Sequence, residues 1–104
     1  MTKTYNKLVR DRIPEILEAK GSRYTIEILP NDKYIEMLDA KLDEELAEYH
    51  KDKNIEELAD LLEVIYATAV ARGHTIDELE AIRVEKAIKR GAFDKKILLV
   101  ETIE

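Results

Sequence analysis

Two amphipathic stretches, Lys33 to Lys51 and Ile55 to Arg72, are separated by only three residues. That spacing leaves the chain little choice of fold. In the first stretch the apolar residues Ile35, Leu38, Leu42, Leu46 and Tyr49 step by three or four, the interval of one buried helix face. In the second, Leu61 to Ala71 carries a single charge, Glu63. A helix apolar nearly all round is expected to be buried on most sides. Two helices joined by so short a turn must lie antiparallel and side by side.

The flanking segments fill in a mostly α fold. Pro14 suits a first helical turn, and Gly21 stops the short helix that follows it. Tyr24-Thr25-Ile26-Glu27-Ile28-Leu29, closed by Pro30, has the β-branched content of a strand. Asn31 and Asp32 are capping candidates for the long second helix, and Asn54 for the third, which Gly73 ends. Thr75 and Glu78 have the spacing of a capping box for a fourth helix, Ile76 to Arg90, ended by Gly91. Ile97-Leu98-Leu99-Val100 is expected to pair with Tyr24–Leu29 as a small accessory two-stranded sheet, which needs helices behind it. Residues 1–104 form one domain. A chain this size buries only about two thirds of its unfolded surface, which leaves apolar area for a partner subunit.

The charge balance narrows the function. Twenty-three acidic against 17 basic side chains give a net charge of −6. Non-specific nucleic-acid binding works by neutralising phosphates with Lys and Arg, so no nucleic-acid partner is expected. A divalent cation nevertheless lets an acidic protein hold a polyanionic nucleotide. There is no cysteine, and two histidines, His50 and His74, are too few for a typical catalytic zinc site. The N-terminus lacks the apolar core of a signal peptide, and the longest nearly uncharged run, Val64 to Ala71, is far short of a membrane span. The expectation is a cytoplasmic protein with no membrane partner.

The carboxylates are grouped. Glu44, Glu45 and Glu48 sit on the second helix; Glu56, Glu57 and Asp60 sit on the third. Residues three or four apart share a helix face, so Glu45 with Glu48, and Glu57 with Asp60, form two pairs. On a wheel with Leu58 at zero, Glu57 and Asp60 fall near roughly 260° and 200°, among Val64, Thr68 and Ala71. They open a face that is otherwise apolar. Glutamate-rich helices are common, and either pair alone is a weak signal. Both pairs across one tight hairpin say more. Two carboxylates about 4 Å apart repel by roughly 4 kcal/mol at an effective dielectric near 20, which a bound cation relieves. Oxygen ligands without sulfur select Mg²⁺, or Mn²⁺, over zinc or copper, and Mg²⁺ completes its shell with water and substrate phosphates.

A phosphate site also needs cations. Arg83, Lys86 and Arg90 make a stripe on the fourth helix, with Lys89 beside it. Their ordinary explanation is favourable interaction with the helix C-terminus. Lys7, Arg10 and Arg12 form a second basic group, with Asp11 among them as a possible ion-pair partner. Tyr49 and Tyr66 fit core packing better than base stacking, and both histidines fit solvated or capping positions.

EELAE at Glu44 to Glu48, followed by ELAD at Glu57 to Asp60, resembles the EExxE…ExxD signature of the MazG-type all-α nucleoside triphosphate pyrophosphohydrolases. YNKLVRDRIPEI near the start and KAIKRGAFDKK near the end are similar to the phosphoribosyl-ATP pyrophosphohydrolase-like branch of that superfamily. The resemblance implies a four-helix core completed by dimerisation. It also implies Mg²⁺-dependent cleavage between the α and β phosphates, yielding a nucleoside monophosphate and pyrophosphate. It puts Glu45, Glu48, Glu57 and Asp60 in the position of metal ligands and Glu44 in that of the residue acting on the attacking water. Lys86, Lys89 and Arg90 match its phosphate-contacting cations, and Lys7 and Arg10 are further candidates. The competing possibility is a non-catalytic dimeric helical module that binds a nucleotide or a protein partner. The short separation of Glu48 from Glu57, with eight residues between them, favours it.

Overall fold

Chain-local signals settle where most of the helices stop and start. The computed structural model describes all of residues 1–104 and contains four helices: α1 (Ile13–Ala19), α2 (Asn31–Asp52), α3 (Ile55–Ala71) and α4 (Ile76–Arg90). After α1, Gly21 takes a positive φ of 74° while Ser22 N–H donates to the Leu17 carbonyl and Gly21 N–H to that of Glu18. Those two bonds satisfy the carbonyls the helix leaves open. Gly73 repeats the arrangement after α3, with His74 N–H on Ala69 and Gly73 N–H on Val70.

The α3 and α4 starts are capped as their sequences require. Asn54 Oδ1 accepts from Glu57 N–H at 3.0 Å, and Thr75 Oγ1 from Glu78 N–H at 3.0 Å. The Glu78 carboxylate does not complete the reciprocal half of the box. It lies 3.0 Å from His74 Nδ1. The α2 start differs from expectation. Pro30, extended at φ −65° and ψ 158°, precedes the first helical residue, its carbonyl accepting from Tyr34 N–H at 2.9 Å. Neither Asn31 nor Asp32 caps the helix. Asn31 instead donates through Nδ2 to the Ala71 carbonyl at 3.3 Å.

The α2–α3 hairpin is the centre of the molecule, and α4 packs on α3 alone; α1 packs on no other helix. Lys53 turns the chain between α2 and α3 in the left-handed region, at φ 53° and ψ 36°. At the open end of the hairpin, Arg72 holds Asp39 at 2.9 Å. The expected accessory sheet is absent. No strand forms anywhere, and neither Tyr24–Leu29 nor Ile97–Val100 makes a backbone hydrogen bond. Two strands of marginal stability need a backing layer, and neither segment has one within this chain.

The expectation that α3 is buried on most sides also fails within one chain. Leu61, Val64 and Ala67 are partly covered, yet Leu58, Leu62, Ile65 and Val70 remain 36–53% exposed. Leu38, at 3%, is the single buried residue. The radius of gyration is 18.4 Å, against about 13 Å for a compact domain of this length. The exposed surface is 9647 Å², whereas a compact monomer of this mass exposes about 6,000 Å². No helix is long and apolar enough to cross a membrane.

Candidate metal centre on the α2–α3 hairpin

The turn at Lys53 and Asn54 brings the last two turns of α2 against the first two of α3. Carboxylate oxygens of Glu45, Glu57 and Asp60 all lie within 4.8 Å of one another, and all three residues are partly buried. Val64, Thr68 and Ala71, on the same side of α3, are partly covered as well. Glu48 is not part of that trio. It is exposed, and groups with Asp52 and Glu57 instead. Glu57 therefore belongs to both sets, in the middle of a row of acids.

The cluster's counter-charges come from two directions. Arg10 Nη2 lies 2.6 Å from Asp60 Oδ1. Lys41, one turn before Glu45 on α2, lies 3.6 Å from Glu45 and 3.3 Å from Glu44, and Lys7 is 3.3 Å from the same Glu44 oxygen. Glu48 and Glu57 have no basic partner within 4.0 Å. These contacts divide the acids electrostatically. Partial burial drives the Glu57 carboxyl above its ordinary range, and the negative charges of Asp60, Asp52, Glu48 and Glu45 add to the shift. Burial acts the same way on Glu44, but Lys41 and Lys7 outweigh it and hold that carboxyl low. Glu44 is thus kept ionised, and Glu57 is the carboxylate with most to gain from a cation.

Two of these residues escaped the sequence analysis. Asp52 stands four residues after Glu48, and Lys41 three and four before Glu44 and Glu45. Helical spacing was the signal that links both to the cluster. Lys7 and Arg10, expected on phosphate, rest on carboxylates in this structure. Lys86, Lys89 and Arg90 border a shallow depression of about 190 Å³ with Ile82 and Glu85, and Lys89 pairs with Glu85 at 2.9 Å. No α4 cation forms an ion pair with the acidic cluster.

Farther along α3, Tyr66 donates to Glu80 at 3.1 Å, and Arg83 Nε donates to the other Glu80 oxygen at 2.7 Å. The hydrogen bonds from Arg83 and Tyr66 hold the Glu80 carboxyl low, and the bond to Glu80 raises the Tyr66 phenol. This network ties α4 to α3. It engages Tyr66 structurally, while Tyr49 is partly buried with its ring tilted against that of His50.

The donor set suits a hard cation. Every candidate ligand is a carboxylate oxygen, cysteine is absent, and neither histidine belongs to a cluster.

No family model matches the chain, and no solved structure matches it. A stretch of 42 residues is 57% identical to an uncharacterized protein of Mycolicibacterium smegmatis. That stretch covers 40% of this chain and 43% of the relative, less than half of either.

Proposed function

We propose that the chain is a Mg²⁺-dependent nucleotide pyrophosphohydrolase that cleaves between the α and β phosphates of a nucleoside triphosphate or a related polyphosphate. One observation carries this proposal: Glu45, Glu57 and Asp60 converge from two helices to within 4.8 Å, and Glu57 lacks a basic partner. The resemblance of EELAE and ELAD to the MazG-type signature, which falls on the same residues, supports it as well.

Glu45, Glu57 and Asp60 would hold the ion, with Glu48 and Asp52 as the next carboxylates along the row. Bound there, Mg²⁺ (or Mn²⁺) supplies polarisation of a phosphoryl oxygen and acidifies a bound water. Glu44 fits the orientation of a water better than its deprotonation, because a carboxyl held low is a weak base. Lys7 and Arg10 are within one ion-pair length of the cluster, and phosphate oxygens would compete with Glu44 and Asp60 for them. Lys86, Lys89 and Arg90 are the further phosphate cations in this proposal. A homodimer joined through the open apolar side of α3 accounts for Leu58, Leu62 and Ile65 remaining exposed.

A second possibility, a dimeric helical module that binds a nucleotide or protein without cleaving it, draws support from the same ion pairs. Arg10 and Lys41 already neutralise part of the cluster. Pyrophosphate release from a panel of nucleotides, with Mg²⁺ and with chelator, separates the two. Chelator-sensitive release with matching monophosphate is expected. Its absence for every nucleotide at micromolar protein excludes the hydrolase and favours the binding module.

A further inference from the structure

We propose that residues 93–103 form an arm whose Ile97–Val100 segment, beyond the turn at Phe93–Lys96, pairs antiparallel with Tyr24–Leu29 of a second copy of this chain, so that two copies exchange strands. The proposal rests on the dimer invoked above but concerns a different surface.

Two independent features mark the arm. Phe93, Ile97, Leu98, Leu99, Val100 and Ile103 are each 75–96% exposed. Single exposed apolar residues are ordinary, but a contiguous run of this kind marks an interaction surface. The backbone is equally open, for no main-chain hydrogen bond forms beyond Lys96. An extended segment with a free edge is a template for another strand. Tyr24–Leu29 shares both properties: Ile26 and Ile28 are 54% and 88% exposed, and its amides and carbonyls are also without main-chain partners.

The chain carries both halves of the pair and joins them nowhere in itself, which selects a second copy as the occupant. The surface area agrees. The excess of 9647 Å² over the compact expectation is about 3,600 Å² per chain. Obligate homodimers bury about 2,000–5,000 Å² in total, so an interlocked pair has enough surface to use. Within the register that sets Ile26 against Leu98, charge favours the antiparallel direction. With Ile26 facing Leu98, an antiparallel register places Tyr24 opposite Val100 and Arg23 opposite Glu101. The parallel register sets Arg23 against Lys95. Directly opposed like charges are unfavourable.

The absence of cysteine makes the test clean. In the full chain, Ile26→Cys with Leu98→Cys is oxidised and mapped by mass spectrometry. A covalent dimer linked 26 to 98 between copies is expected. An oxidised monomer, or dimers lacking that linkage, overturns the exchange. Leu98→Asp with Val100→Asp should weaken dimerisation at least tenfold with helical circular dichroism unchanged; undiminished dimerisation counts against the arm. Hydrogen exchange on the unmodified chain reads the pairing without any substitution. Slow exchange at alternate amides across Ile97–Val100 is expected, and immediate exchange at all of them in a dimer overturns it. A chain monomeric at high micromolar concentration ends both the arm and the helix-face dimer. A dimer without the 26–98 linkage ends the arm alone.

Discussion

Arg10 and Asp60, fifty positions apart, meet at 2.6 Å, so the irregular N-terminal segment supplies a counter-ion to the first turns of α3. Both side chains keep substantial solvent contact. An ion pair that exposed contributes about 0–1 kcal/mol. Its larger consequence is competition, because Arg10 occupies an oxygen that the proposed metal ion would use. Arg10→Ala is therefore expected to melt within a few degrees of the parent while binding Mn²⁺ a few fold more tightly, as read by calorimetry. Unchanged Mn²⁺ affinity means that the guanidinium does not compete for the site.

Mg²⁺ should raise the melting temperature of the parent chain. A ligand bound only by the folded state at a hundred times its dissociation constant contributes about 2.7 kcal/mol. Asp60→Asn removes a proposed ligand and a repulsive charge together with the Arg10 partner. It should melt close to the parent in chelator and lose most of the response to millimolar Mg²⁺. A metal response equal to the parent's removes Asp60 from the proposed ligand set.

Glu57 gives the pH dependence its sign. Its carboxyl is raised in the fold above the ordinary 4.5, so protonation favours the folded state. The stabilisation is full below 4.5 and is lost as pH rises through the folded value. Glu57→Gln, neutral throughout, should melt at or above the parent at pH 7 without metal, and the gap should close on acidification toward pH 4. A gap independent of pH assigns the effect to packing instead.

The cap beneath the site is also testable. Asn54 Oδ1 receives the N–H of Glu57 itself. Asn54→Ala is expected to cost about 1 kcal/mol, or roughly 4–8 °C for a domain of this size. The variant should also weaken Mn²⁺ binding, because the first turn of α3 carries Glu57, one of the proposed ligands. Thr75→Ala removes the equivalent cap of α4 and should lower the melting temperature by a similar amount with Mn²⁺ affinity unchanged. A metal effect from both variants would mean global loosening rather than local placement.

The legible parts of the sequence were those with local physical causes. Both ends of α4 follow from Thr75 and Gly91, and the hairpin follows from apolar spacing across a short turn. Glu45, Glu57 and Asp60 were brought together by that same spacing. Where the start of α2 was misplaced, two plausible caps competed with Pro30, and the side chain of Asn31 was engaged by a carbonyl forty residues away. Strand propensity in Tyr24–Leu29 and Ile97–Val100 could not reveal whether the fold supplies a partner, because pairing is a tertiary event. Likewise, the contacts of Lys7 and Arg10 with the acids depend on the path of an irregular segment that carries no periodicity to read.

Only Lys53 and Asn54 separate the two long helices. Adding a single residue after Ile55, inside the first turn of α3 and beyond the Asn54 cap, would turn the rest of that helix by about 100° about its own axis and advance it by about 1.5 Å. Glu57 and Asp60 would then leave Glu45 behind, while each helix alone would be unaltered. The short turn thus acts as a gauge block: it fixes which turns of α2 and α3 face each other, and a change of length inside the first turn of α3 should part the three acids even where every side chain is kept.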